Sequence, residues 1–167
     1  LPLLVSVVLS CAGCIYEAPL TDEHAIPVDS AVLGLWEYVP AENEKPDAPE
    51  QMMVLQYSDT EYLIHYPTGK GGMYFRGYPI RIGEVSCVQL QLIGSEEGPV
   101  AEGEKELFHV ASYRLDTGAL EVRTLNTELV DDDLKDSGAL RAAFLQHQGD
   151  GALFAEPGRF RKIQEAN

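Results

Sequence analysis

Residues 52–66 read MMVLQYSDTEYLIHY, two short apolar and aromatic runs on either side of the polar residues Ser58, Asp59 and Thr60. Turn residues between two runs rich in Val, Ile, Leu and Tyr are typical of a β-hairpin. The stretch therefore predicts two antiparallel strands, 52–57 and 62–66, and a fold assembled from neighbouring strands.

The same pattern continues in both directions from this hairpin. Towards the N-terminus, residues 33–39 read LGLWEYV and predict a first strand, and the proline-rich residues 40–50 predict a surface loop. Towards the C-terminus, further strand candidates follow glycine-containing turns such as TGKGG and DTG. These candidates are 73–81, 85–93, 107–115 and 119–125. Within 85–93, Val88, Leu90 and Leu92 alternate with more polar residues and predict the side that faces the core.

One segment breaks the strand pattern. Residues 136–149 read DSGALRAAFLQHQG, where Asp136 or Ser137 offers a helix N-cap and Leu140 and Phe144 recur at helical spacing. A last short strand, 159–163, follows. About eight short strands with one helix before the last strand predict an all-β fold. Because closure removes the edges that an open meander would expose, we expect a small antiparallel β-barrel.

The start of the chain has the pattern of an export signal. Residues 1–10, LPLLVSVVLS, form an apolar run without a charge, too short for the roughly 20 residues of a membrane-spanning helix. We expect the charged part of the signal to lie upstream of Leu1. The following CAGC resembles the lipobox of bacterial lipoproteins, which implies a diacylglyceryl group on Cys14 and cleavage in front of it. A box that ends at Cys11 is the alternative.

A wider resemblance covers most of the chain. The lipobox, the APLT stretch, DSAVLGLWE and DDDLKDS before the helix together resemble a group of uncharacterised bacterial lipoproteins. The resulting division is a truncated signal peptide (1–13), a lipid-anchored tether (14–32) and a β-barrel domain (33–167). Because residues 15–32 are polar and turn-rich, we expect an extended tether that needs no fold.

Charge narrows the range of partners. Twelve basic and 27 acidic residues give a formal net charge of −15. This charge repels phosphates, which argues against nucleic acid and against electrostatic attachment to anionic lipids. The lipid anchor must then hold the protein at the membrane. The lipoprotein resemblance implies an exported protein that faces the periplasm. Since Ile15, and not Asp, follows Cys14, it also implies the outer membrane of a Gram-negative cell.

The first strand carries a second resemblance. Gly34, Leu35 and Trp36 resemble the G-x-W signature of lipocalins and related calycin barrels. In that family the Trp closes one end of an eight-stranded barrel, and a late basic residue packs across it. The resemblance implies a barrel floor of Gly34 and Trp36 with Arg159 or Arg161 over the indole. Such a contact is physically reasonable, since a guanidinium stacks well on a buried aromatic ring.

Aromatic residues concentrate on three predicted neighbouring strands. Along a barrel interior they would hold a small apolar or sugar-like ligand, although ordinary core packing and cross-strand pairing explain the same pattern. The candidate ligand-lining residues are Tyr57, Tyr62, Tyr66, Tyr74, Phe75 and Tyr78.

No familiar catalytic, metal or phosphate-binding motif is present. His24, His65, His109 and His147 lack the short spacing of paired metal ligands. The acidic run 131–133 lacks the frame of a calcium loop. Cys87 has no neighbour in sequence that would stabilise a thiolate, and a buried strand cysteine is expected.

These observations favour a non-enzymatic role. We expect an envelope lipoprotein without cofactor or metal, whose barrel binds a partner protein or a small apolar ligand. The alternative is an envelope hydrolase with an acid-based or His-based site, because 27 acidic residues offer many carboxylate pairs.

Overall fold

A computed structural model describes residues 15–69 and 71–165 of the 167-residue chain. The predicted signal peptide and the lipidation candidates Cys11 and Cys14 lie outside the described residues. The elements are a 3₁₀ helix Ser30–Val32, strands β1 Gly34–Tyr38, β2 Gln51–Ser58, β3 Glu61–Tyr66, β4 Met73–Ile82, β5 Val85–Ser95, β6 Gly98–Pro99, β7 Phe108–Asp116, β8 Ala119–Thr124, helix α1 Ser137–Gln146 and strand β9 Gly158–Glu165.

The sheet closes into a barrel. Strands β1 to β5, then β7, β8 and β9, are antiparallel neighbours in chain order, and the β1–β9 pairing completes a ring of eight strands. The two-residue strand β6 adds only a short hairpin to the edge of β5. Helix α1 precedes the last strand, so the predicted all-β barrel with one late helix is confirmed.

Strand alternation divides the apolar residues into two clusters. The inner cluster fills the barrel and includes Trp36, Tyr62 and Phe160. The outer cluster lies between the outside of the barrel and the elements that cover it, and includes Ile80 of β4 and Phe144 of α1. Because successive strand residues point to opposite faces, a wall covered on its outside is apolar on both faces.

Strand β5 shows both faces clearly. Val88 belongs to the inner cluster and Leu90 packs against it, as predicted. Cys87 and Gln89 point outwards but are buried, so the expectation of a buried strand cysteine is confirmed. The Gln89 side chain is satisfied there, because its Oε1 accepts from the Leu20 backbone at 2.8 Å and its Nε2 donates to the His109 carbonyl at 3.1 Å.

The N-terminal segment (residues 15–33) corrects the prediction of an unstructured tether. Tyr16 and Leu20 are buried in the outer cluster. The Tyr16 backbone exchanges hydrogen bonds with Phe108 of β7, and its hydroxyl donates to the Val130 carbonyl at 2.7 Å. Polarity and turn residues do predict a segment with little regular structure, but they do not show that its few apolar residues have a barrel wall to cover.

Helix α1 forms where the sequence predicts it. The Asp136 side chain accepts a hydrogen bond from the Ala139 backbone at 2.8 Å and caps the helix, while Leu140 and Phe144 are buried against the barrel. Within residues 15–69 and 71–165, no helix has the length and hydrophobicity required to cross a bilayer.

Candidate functional site

The barrel interior encloses a cavity of about 140 Å³. Its lining is almost entirely apolar and comes from every barrel strand except β1, together with the 3₁₀ helix. Val54, Phe75, Leu90, Ala111, Val122 and Phe160 are representative lining residues. A cavity of this size and character is closer to a small-molecule site than to a fully packed core, where voids larger than a water molecule are rare.

The predicted aromatic set is divided by the strand alternation. Tyr62, Tyr66 and Phe75 line the cavity. The other three do not, and their prediction as lining residues is wrong. They face the outside of the barrel: Tyr57 is 62% exposed, Tyr74 stacks on His65 with ring centroids 4.1 Å apart, and Tyr78 belongs to the outer cluster. The register between β4 and β5 also shifts here, because Tyr74 pairs with Gly94 and Phe75 with Leu92.

Trp36 belongs to the inner cluster and lies next to the 3₁₀ helix. Its side chain is fully buried, and its Nε1 donates to the Val32 carbonyl at 2.9 Å. Val32 in turn lines the cavity. Gly34, at the start of the strand, has a φ of +133°, a conformation that residues with a side chain rarely adopt. Gly34 and Trp36 thus lie together at the start of β1, beside the 3₁₀ helix.

The basic residue over the indole is Lys162, and the prediction of Arg159 or Arg161 is wrong. Lys162 Nζ lies 4.9 Å from the Trp36 ring centroid and donates to the Ala31 carbonyl at 2.9 Å. Lys162 is the register partner of Trp36, so both side chains share the inner face. Arg159 and Arg161 alternate with it on the outer face, where they pair with Glu121 and Glu37.

The N-terminal segment reaches the lining through hydrogen bonds. The Asp29 backbone N–H donates to the Tyr62 hydroxyl at 2.7 Å, and the Tyr113 hydroxyl donates to Asp29 Oδ2 at 3.3 Å. Both tyrosines line the cavity. Burial raises the pKa of each phenol, so both stay protonated and neutral near pH 7.

Two ionisable groups in the lining differ in character. Glu156 is exposed at the rim of the cavity, while His109 is partly buried in the lining. Burial lowers the pKa of His109 to about 4, so this ring is neutral near pH 7. Among the described residues that line the cavity there is no Lys or Arg. The site therefore has no cation to attract a carboxylate or phosphate ligand.

Sequence reasoning missed His109 and most of the aliphatic lining. The signal that finds His109 is alternation within β7, where Val110 joins the outer cluster and its neighbours His109 and Ala111 line the cavity. No comparable local signal separates inner from outer residues when both faces of a strand are apolar.

Two histidine–glutamate pairs are formed outside the cavity lining. His24 Nδ1 lies 2.7 Å from Glu61 Oε1, and Arg76 binds the same carboxylate through two nitrogens. Hydrogen bonds from Arg76 and then His24 hold the pKa of Glu61 below its usual value. In the second pair, His65 Nε2 lies 2.8 Å from Glu96 Oε1, but the angles between the two groups do not fit a hydrogen bond.

These pairs give no support to the hydrolase alternative. His24 stacks on Tyr78 with ring centroids 3.5 Å apart and ties the N-terminal segment to the barrel. Neither pair contributes a residue to the cavity lining. Within the described part of the chain, no three His, Cys, Asp or Glu side chains are grouped closely enough to hold a metal ion.

Comparisons of the chain with protein-family models, with curated proteins and with solved structures find no match.

Proposed function

We propose that this protein is an exported lipoprotein, anchored through Cys14, whose barrel binds one small, neutral, apolar molecule. The observation that carries the proposal is the apolar cavity of about 140 Å³ inside the barrel. An engineered cavity of about 150 Å³, lined by Leu, Ile and Phe, stays dry and binds benzene. The expected ligand is therefore about the size of a single aromatic ring or a short hydrocarbon.

Charge supports a neutral ligand. The described lining offers no cation, the carboxylate of Glu156 stands at its rim, and the whole chain carries a net charge of −15. Transfer of an anion into such a site loses hydration without gaining an ion pair. Fatty acids and other apolar carboxylates are therefore disfavoured.

The position of Ile15 on the barrel supports the proposed anchor. Ile15 directly follows the proposed acylation site, and its backbone N–H donates to the Phe108 carbonyl on β7 at 3.0 Å. A lipid on Cys14 would then hold the barrel close to the bilayer without an intervening flexible linker. Apolar molecules concentrate in the bilayer, so this position suits a protein that collects or delivers them.

Titration of the purified protein with benzene and with benzoate tests the ligand class. We expect benzene to bind with a dissociation constant of about 1 mM or lower, equivalent to about 4 kcal/mol, and benzoate to bind at least tenfold more weakly. The Ala111→Leu variant fills part of the cavity and should weaken benzene binding by about tenfold or more.

Ala142→Leu is the matched control, because Ala142 is exposed on α1 and does not line the cavity. It should leave benzene affinity unchanged. Equal loss of affinity in both variants, or no benzene binding to the wild type, would contradict the small-ligand proposal and favour a partner protein.

The anchor is tested in the natural host with the complete precursor. We expect wild-type protein to fractionate with membranes and to carry the mass of a diacylglyceryl group, because the CAGC stretch resembles a lipobox. Cys14→Ser should abolish this mass, and Cys11→Ser should keep it. An unmodified wild-type protein, or loss of the lipid only in Cys11→Ser, would contradict anchoring through Cys14.

A further inference from the structure

A histidine lies in the mainly apolar lining, near the start of β7. His109 is the register partner of Leu90 on β5, and both residues line the cavity. Ala111, two residues further along β7, also lines it, while Val110 between them belongs to the outer cluster. The alternation places the His109 side chain on the inner face of the wall.

The hydrogen bonds of His109 determine which nitrogen carries the proton. Nδ1 accepts a hydrogen bond from the Val110 backbone N–H at 3.0 Å. A neutral imidazole has one accepting and one donating nitrogen, so the proton is assigned to Nε2. Enclosure by apolar neighbours keeps the ring neutral near pH 7.

The Nε2–H group of His109 has no hydrogen-bond partner among the described residues. His109 lines the cavity, so this donor is free to bond to a molecule inside the barrel. A ligand with an acceptor at this point would gain a hydrogen bond, whereas a pure hydrocarbon would not.

We propose that the ligand of this cavity carries a hydrogen-bond acceptor, such as a carbonyl oxygen, which accepts from His109 Nε2–H. This inference rests on the proposed binding function and narrows it to neutral, mainly apolar molecules with one acceptor, such as small ketones. A cationic amine is disfavoured at this position, because a protonated nitrogen can only donate.

Cyclopentanone and methylenecyclopentane provide a matched pair of probes, because they have the same ring and differ in C=O against C=CH₂. We expect His109→Leu to lower the ketone-to-alkene affinity ratio about threefold to tenfold relative to wild type, as the loss of one hydrogen bond predicts. The ratio cancels the different hydration of the two probes, since that difference is the same for both proteins.

Thr124→Val is the matched control, because Thr124 is a second polar residue of the same lining. It should leave the ratio unchanged. If His109→Leu does not fold, nitrogen NMR of the wild-type imidazole replaces it: the ketone should shift the His109 Nε2 resonance, and the alkene should not.

The possible failures are distinguishable. If the alkene binds but His109→Leu leaves the ketone-to-alkene affinity ratio unchanged, the proposed hydrogen bond to an acceptor is wrong and the binding function stands. The same holds if the alkene binds and the ketone causes no shift of the His109 Nε2 resonance. Loss of the ratio in Thr124→Val alone overturns the assignment to His109. If neither probe binds, both the acceptor and the proposed function are wrong.

Discussion

Replacement of Trp36 by Ala is expected to destabilise the protein by about 3–5 kcal/mol, the range found when large aromatic side chains are removed from cores. The indole is fully buried, donates to the Val32 carbonyl and lies beneath Lys162. Its removal leaves a void in the inner cluster and breaks the hydrogen bond between β1 and the 3₁₀ helix. Chemical denaturation followed by circular dichroism measures the effect, since the variant lacks the chain's single tryptophan.

Two further variants serve as controls for Trp36→Ala. Trp36→Phe keeps an aromatic ring at this position and should lower the free energy of unfolding clearly less than Trp36→Ala. Ile163→Ala, at an exposed position of β9, should stay within about 0.5 kcal/mol of wild type. A loss below about 1 kcal/mol for Trp36→Ala would show that the indole does not hold the inner cluster together.

The second large effect is expected for Tyr16→Ala, at about 3 kcal/mol or more by the same comparison with buried aromatic residues. Tyr16 is only 1% exposed, and its hydroxyl bonds to the Val130 carbonyl. Tyr16→Phe removes only the hydrogen bond and should cost about 1 kcal/mol. The free energy of unfolding from denaturant titration distinguishes the two variants.

The exposed Tyr57 provides the matched control for Tyr16, and Tyr57→Ala should change stability by less than about 0.5 kcal/mol. If the N-terminal segment were an independent tether, Tyr16→Ala would behave like Tyr57→Ala. That outcome would contradict the docking of residues 15–33 on the barrel.

The architecture was predictable because it depends on local signals. The hairpin around Asp59, the turn at Gly118 and the cap at Asp136 each act over a few residues, and together they specify strand order and the place of the helix. Closure also followed, since about eight consecutive antiparallel strands leave exposed edges unless they form a ring.

The cavity was predictable only in part, because its lining depends on which face of each strand points inwards. The residue pairs Tyr66 and Tyr74, or Phe75 and Tyr78, are similar in chemistry and lie close in sequence, yet one member of each pair faces the cavity and the other does not. The covered outer wall removes the polar alternation that would have separated them.

The basic residue next to Trp36 was also predicted wrongly, although the alternation within β9 identifies it. Phe160 is apolar and faces inwards, so alternation alone assigns Lys162 to the inner face and Arg161 to the outer face. The family resemblance implies only a late basic residue, a description that Lys162 fits as well as Arg159 or Arg161. The docking of the N-terminal segment was harder to predict from the sequence, because its contacts with Phe108, Glu61 and Val130 span long distances in sequence.

Methionine methyl NMR tests at residue level whether a small neutral molecule binds inside the barrel. Met52 lines the cavity, whereas Met53 and Met73 do not, so the three ¹³C-methyl signals combine a probe with two internal controls. As benzene is added, the Met52 methyl should shift and saturate through the ring current of the bound molecule, while the other two remain in place. A Met52 signal that stays fixed up to the solubility limit of benzene, or that moves together with both controls, would contradict binding inside the barrel.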